Sequence, residues 1–204
     1  TQDLPLIQQH AILPLCETAS VFCEMVVSER LYAQANTDAE RRSLLTDKLE
    51  DLFATSHRQN MFSQFEQVVH GQLANGPVSV DTLCDLYVQQ LHELFGESVS
   101  YPEGYRWEWL TIPHFISVPF YVYAYNFGNL LVLGLYQRYR EHPSSFMKPF
   151  KQLLAMGKSQ DPMTICQTVG VDLQDPEFWT SSVAYIEGLL NQLDALVDAP
   201  SESA

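Results

Sequence analysis

Residues 15–25 read LCETASVFCEM. Apolar residues recur at helical spacing through this stretch and on to about residue 35. It also puts two carboxylates, Glu17 and Glu24, seven residues apart among small and apolar neighbours. On one helix they project from the same face, two turns apart, with α-carbons about 10 Å from each other. An unpaired buried carboxylate costs several kcal/mol or takes up a proton. Glu17 therefore calls for a holder: a buried base, a helix N-terminus or a metal ion. The pair is too far apart to ligate one ion directly. It can serve one site with one carboxylate on the metal and the other orienting a ligand. The plainer reading is two surface glutamates on an amphipathic helix. Ala19, Ser20 and Val21 are small, as if a second helix approached closely.

Working outward, the helical pattern continues almost throughout. A helix over about 38–55 starts at Thr37 or Asp38, either a good N-cap, with Glu40 in its first turn. Residues 56–73, SHRQNMFSQFEQVVHGQL, form the next. Asn75, Gly76 and Pro77 break the chain, Ser79 caps a helix to about Phe95, and Gly96 stops it. Residues 97–117, aromatic-rich with two prolines and a glycine, are irregular. A long helix over about 119–141 ends before Pro143, and shorter helices follow at about 144–156 and 162–169. The last runs from Asp175 as cap, with Pro176 at the first helical position, to about 197. No strand pairs or repeats are visible. The expectation is an all-α, multi-helix domain over 1–198, one compact unit, with a flexible tail at 199–204.

The 204 residues are 46% hydrophobic and 18% charged, enough to bury a core. A net charge of -14 argues against nucleic acid as a partner, because phosphate binding needs basic patches. Cys16 and Cys23 would lie about 10 Å apart along one helix, too far for a disulfide. With no C-x-x-C pair, Cys16, Cys23, Cys84 and Cys166 read as reduced, buried thiols of a cytoplasmic protein. Residues 110–137 carry no Asp, Glu, Lys or Arg, but Pro113, His114, Pro119, Asn126, Asn129 and four tyrosines mark a buried helix rather than a membrane span.

Two further constellations carry chemistry. In IPHFISVPFYVYAY (112–125), His114 precedes Tyr121, Tyr123 and Tyr125. Tyr121 and Tyr125 share a helical face and Tyr123 points elsewhere. A histidine and tyrosine hydroxyls beside a cleft can donate hydrogen bonds to a developing oxyanion; otherwise they are an aromatic core. In HRQNMFSQFE (57–66), Arg58, Phe62 and Glu66 follow one another at four-residue steps, with His70 one step on. This reads as a packing helix with one or two polar anchors. HELFG (92–96) has Gly96 where a zinc motif needs its second histidine, and reads as a helix end.

Together these stretches resemble the C-terminal half of an oligoendopeptidase F-type enzyme, in the thimet oligopeptidase group of zinc metallopeptidases. ETASVFCEM (17–25) resembles that family's glutamate-bearing helix, and RQNMFSQFE (58–66) its Arg-Gln-x-Met-Phe segment. WLTIPHFISVPFYVYAYNFG (109–128) resembles its histidine- and tyrosine-bearing substrate loop and helix. LLAMGKSQDPMTICQTVGVDLQDPEFW (153–179) resembles its closing segment, although Gly157, Lys158 and Ser159 stand where the family more often has Gly-Gly-Ser. The four run collinear from about 11 to 180.

The resemblance implies that Glu17 is a third zinc ligand and that Glu24 steadies a ligating histidine. It implies that His114 with Tyr121, Tyr123 or Tyr125 binds oligopeptide substrate and stabilises the tetrahedral intermediate. No His-Glu-x-x-His occurs in the sequence, so two zinc ligands and the general base are missing. The chain also opens at Thr1 with almost no lead-in. We therefore expect a fragment that by itself neither retains Zn2+ nor cleaves peptides. Its partner would be the missing N-terminal half of the enzyme, and the uncovered faces would favour self-association. The competing expectation is a non-catalytic helical module that binds a partner through an apolar groove near 101–125.

Overall fold

The structure is a computed structural model and describes residues 3–198. The tail expected at 199–204 lies outside the described residues. In chain order the helices are α1 (Leu13–Cys16), α2 (Thr18–Gln34), α3 (Asp38–Leu52), α4 (Gln59–Leu73) and α5 (Val80–Phe95). Then come α6 (His114–Ser117), α7 (Tyr123–Glu141), α8 (Pro143–Ala155), α9 (Pro162–Gln167) and α10 (Pro176–Val197). A π-helical turn, Phe53–Arg58, joins α3 to α4, and Glu103–Thr111 is 3-10 helix. Every regular element among the described residues is helical, as the sequence pattern requires. None of the described helices is long and apolar enough to cross a membrane.

The helix starts follow local chemistry. Thr37 and Glu40 close a capping box: Glu40 N–H donates to Thr37 Oγ1 at 3.2 Å, and Thr37 N–H donates back to Glu40 Oε2 at 3.3 Å. Ser79 accepts from Thr82 N–H at 3.1 Å, and Gly96 ends α5 with φ of 56°. Asp175 caps α10, with Pro176 as its first residue.

Where the sequence suggested one unit, the chain divides into two compact ones. Among the described residues, the first joins residues 3–52 to 127–198. Its buried face on α1 and α2 runs through Leu15, Thr18, Phe22 and Met25, steps of three, four and three residues. Phe22 packs its ring 4.3 Å from Phe150 and 5.4 Å from Tyr139. On α7, Leu131, Val132, Leu133, Leu135 and Tyr136 are all 0% exposed. A helix buried on every side tolerates no charge there, which accounts for the uncharged run. At the unit's rim Lys158 N–H donates to Gln8 O at 2.9 Å. Gly157 beside it holds φ of +53°, and a Cβ there would sit 2.2 Å from the same carbonyl oxygen.

The second unit is continuous, residues 53–126. Met61, Phe62, Phe65, Tyr87, Leu91 and Val122 form its core. Arg58 ion-pairs with Glu108, which also accepts hydrogen bonds from the Tyr87 and Tyr105 hydroxyls. The Glu108 side chain is 14% exposed, so this pair, with Arg58 over Phe62 at 5.2 Å, is the polar anchor expected on that helix.

Two sequence expectations change. Residues 16–35 are not one helix: Glu17 stands between α1 and α2 with φ -91° and ψ 4°, and its carbonyl accepts the first bond of α2, from Val21 N–H at 3.0 Å. The long helix starts at Tyr123 rather than 119, because Pro119 and a positive-φ Phe120 turn the chain first.

Candidate functional site

Pro113 starts α6, and Phe115 anchors it by packing 5.5 Å from Phe62 and 5.2 Å from Phe65. That leaves His114 on the other side of the short helix. After the turn, Tyr121 stacks on the His114 ring at 5.1 Å and 16°. Tyr125, in the first turn of α7, meets it edge-on at 5.8 Å, with its hydroxyl 3.2 Å from His114 Nε2. Tyr121 and Tyr125 pack against each other at 5.2 Å. The three side chains are therefore one cluster, brought together within twelve residues of sequence. Tyr123 is not part of it: it is 49% exposed, and its place two residues from Tyr125 on α7 turns it to another side of the helix.

Behind this cluster lies Glu66, 3% exposed among Met61, Phe62 and Phe65. Its Oε1 accepts from Phe120 N–H at 2.8 Å, and its Oε2 is buried with no hydrogen-bond partner. His70, one turn on, packs its ring 4.5 Å from that of Phe120. The sequence puts Glu66 and His70 one step apart on a packing helix with one or two polar anchors, and does not disclose their contacts with Phe120. The available signal was a carboxylate on the most apolar face of its helix.

In the first unit, Glu17 is exposed rather than buried. Its Oε2 accepts from Ser20 Oγ at 2.7 Å. The expectation that it needed a buried holder is thereby corrected, since water solvates it. Ala19 and Ser20 are also exposed, so no helix of this unit covers them. Glu24 is exposed as well and takes Lys48 Nζ at 2.6 Å, a lysine only 10% exposed at its side chain. Among the described residues no three His, Cys, Asp or Glu are grouped to hold a metal ion. Cys84 and Cys166 are buried free thiols as expected, whereas Cys16 and Cys23 are exposed because α2 turns its other face inward.

Peptidase family M3 matches residues 8–185. An oligoendopeptidase F homolog of Borreliella burgdorferi is 32% identical over 158 residues, 77% of this chain and 27% of that protein. The plasmid oligoendopeptidase F of Lactococcus lactis subsp. cremoris is 27% identical over 97% of this chain and 33% of its own length. The crystal structure of oligoendopeptidase-F from Enterococcus faecium superposes with a TM-score of 0.84 at 25% identity, covering 93% of this chain and 36% of that one. The chain thus spans about a third of the curated relatives it matches. With a family match over most of its length and the same helical architecture in a solved relative, this chain belongs to peptidase family M3.

Proposed function

We propose that the chain is the C-terminal portion of a zinc metalloendopeptidase of the oligoendopeptidase F type that hydrolyses oligopeptides in the cytoplasm. The observation that carries this reading is the His114–Tyr121–Tyr125 cluster, found on the segment that resembles the family's substrate loop. Four free thiols support the compartment.

As a zinc ligand set the chain is incomplete. One exposed carboxylate fits a single position of a tetrahedral site, and Glu17 is that carboxylate. Ser20 orients it through Oε2. Glu24 holds Lys48 through Oε1, and its other oxygen is the one we assign to steadying a ligating histidine. The remaining ligands and the general base would come from the rest of the parent enzyme, of which this chain spans about a third. Bound zinc supplies a Lewis acid that polarises the scissile carbonyl.

The second unit supplies donors. The Tyr125 hydroxyl and His114 Nε2 share a hydrogen bond at 3.2 Å, to which we assign the Nδ1–H tautomer, with the hydroxyl as donor. Tyr121, stacked nearly parallel to the ring, holds its plane. The Nδ1–H then meets the carbonyl oxygen as negative charge grows on it, a donor worth about 3 kcal/mol in the transition state.

The test is hydrolysis of an internally quenched peptide by the full-length parent. A chelator abolishes turnover, Glu17→Gln removes most bound metal and activity, and His114→Ala lowers kcat roughly 100-fold or more. Full activity in either variant defeats its assignment. The isolated chain is expected to be inactive and to self-associate through faces the rest of the enzyme covers. A second reading, a non-catalytic module, draws on the exposed apolar side chains of Ile116, Val118 and Phe120. Tight metal-free capture of a partner by this chain, with an inactive parent, favours that reading.

A further inference from the structure

The feature that the peptidase reading leaves unused is Glu66. A carboxylate 3% exposed with one oxygen unpaired is a poor way to stabilise a core, and such an orphan calls for an explanation. Its single partner supplies one. Phe120 has φ of +60°, a left-handed conformation that a side chain as bulky as phenylalanine rarely adopts. It follows Pro119, and Pro then positive φ is the pattern of a type II turn, whose third position ordinarily takes glycine. Nothing in the Phe120 side chain favours that conformation, so its surroundings must impose it. Two successive turns of α4 do so: Glu66 takes the backbone N–H at 2.8 Å, and His70 packs against the ring at 4.5 Å. The next residue is Tyr121. The chain reversal at Phe120 is what brings it back over His114 at 5.1 Å, near enough to Tyr125 to complete the cluster.

We infer that Glu66 is a positioning residue that clamps the strained Phe120 backbone and thereby sets Tyr121 and His114 in their stacked arrangement. The clamp rests on the proposed function only for its consequence in turnover; its geometry is independent of it. A core residue chosen for stability would be apolar here. The carboxylate instead supplies the acceptor for the Phe120 N–H in the turn.

The experiment is NMR on this isotope-labelled chain, reading the amide exchange of Phe120 and the ring-proton shifts of His114, which the face of Tyr121 moves upfield. Glu66→Leu removes the acceptor: the Phe120 amide exchanges roughly tenfold faster or more, and the His114 signals relax toward unstacked positions. Glu66→Gln keeps a carbonyl acceptor and retains both signatures. Adding Phe120→Gly to Glu66→Leu restores the His114 shifts, because glycine holds a positive φ unaided. Unchanged signatures in Glu66→Leu overturn the clamp, as does failure of the glycine to restore the stack. Should Glu66→Leu alone not fold, a folded double variant with stacked His114 supports the clamp, and an unfolded one assigns Glu66 to the core. Turnover by the full-length parent separates the two readings. Signatures that respond as expected while kcat is unaffected leave the clamp standing and remove His114 from catalysis. Unresponsive signatures sink the clamp whatever the turnover.

Discussion

Replacing Gly134 by alanine pits two opposed effects against each other at one position. Gly134 lies mid-way along α7, where alanine is intrinsically favoured by about 1 kcal/mol. The added Cβ would stand 2.5 Å from two ring carbons of Phe178 and 2.7 Å from Ser182 Oγ on α10. Carbon atoms prefer about 3.5–4.0 Å, so the shortfall is about 1 Å. Phe178 is 4% exposed and Ser182 0%, and Arg138 lies over the same ring at 5.7 Å, so neither neighbour can swing into solvent. The helix itself must move. Overpacking of this kind costs about 1–3 kcal/mol, and a clash this deep belongs at the upper end. The net expectation is a loss of about 2 kcal/mol, or a fall in Tm of about 4–8 °C for a chain of this size. Gly188 is the control. It lies on α10, and nothing stands within 4 Å of a Cβ there, so Gly188→Ala should raise Tm by about 2–4 °C. Thermal unfolding of the three proteins by circular dichroism decides the matter. A Gly134→Ala chain as stable as the parent, or more so, refutes the close packing of α7 on α10.

Other predictions follow from the same coordinates. Thr37→Ala opens the capping box of α3 and should cost about 1 kcal/mol in urea unfolding, with no change in slope. Burial pushes the Tyr185 hydroxyl up to about 12, and burial with a hydrogen bond to a carboxylate pushes Tyr87 and Tyr136 up further. In the unfolded chain these phenols ionise near 10, so their contribution is full below pH 10 and is lost as pH rises through the folded values. Alkaline unfolding should therefore begin near pH 10, with phenolate absorbance rising together with loss of helix, and Tyr185→Phe should move the midpoint upward; independent titration and unfolding would contradict this. An aromatic disulfide reagent should label Cys16 and Cys23 in the native chain, and Cys84 and Cys166 only in denaturant, the last with its thiol raised to about 11 by burial.

What the sequence disclosed was local. Ser79, Asp175 and the Thr37–Glu40 pair announce helix starts within four residues of themselves, and the uncharged run around Leu131–Tyr136 announces burial. The His114–Tyr125 contact was within reach because both residues sit on one short segment, and helical spacing separates Tyr123 from the pair. The break at Glu17 carries no such mark: Leu15, Cys16 and Thr18 are all acceptable within a helix. The role of Glu66 was hidden because its partner is a backbone N–H 54 residues away, presented by a conformation that phenylalanine does not advertise. The division into two units is hard to read because helix runs through both boundaries: the polar run at 55–60, after Leu52 and Phe53, and Gly128, after Asn126 and Phe127, stand inside helical segments rather than in a linker.

That division governs the order in which the molecule can assemble. The second unit is made of neighbouring sequence, and its core contacts close as soon as residue 126 has left the ribosome. The first cannot close so early. Its opening helices wait for partners translated a whole unit later, and the contact from Arg42 to the carbonyl of Leu196 spans 154 positions. Until those partners emerge, the faces of α2 and α3 that carry Phe22, Met25 and Leu45 lack the cover this unit gives them. Nascent chains arrested between residues 126 and 198 are the species on which a chaperone has most to hold.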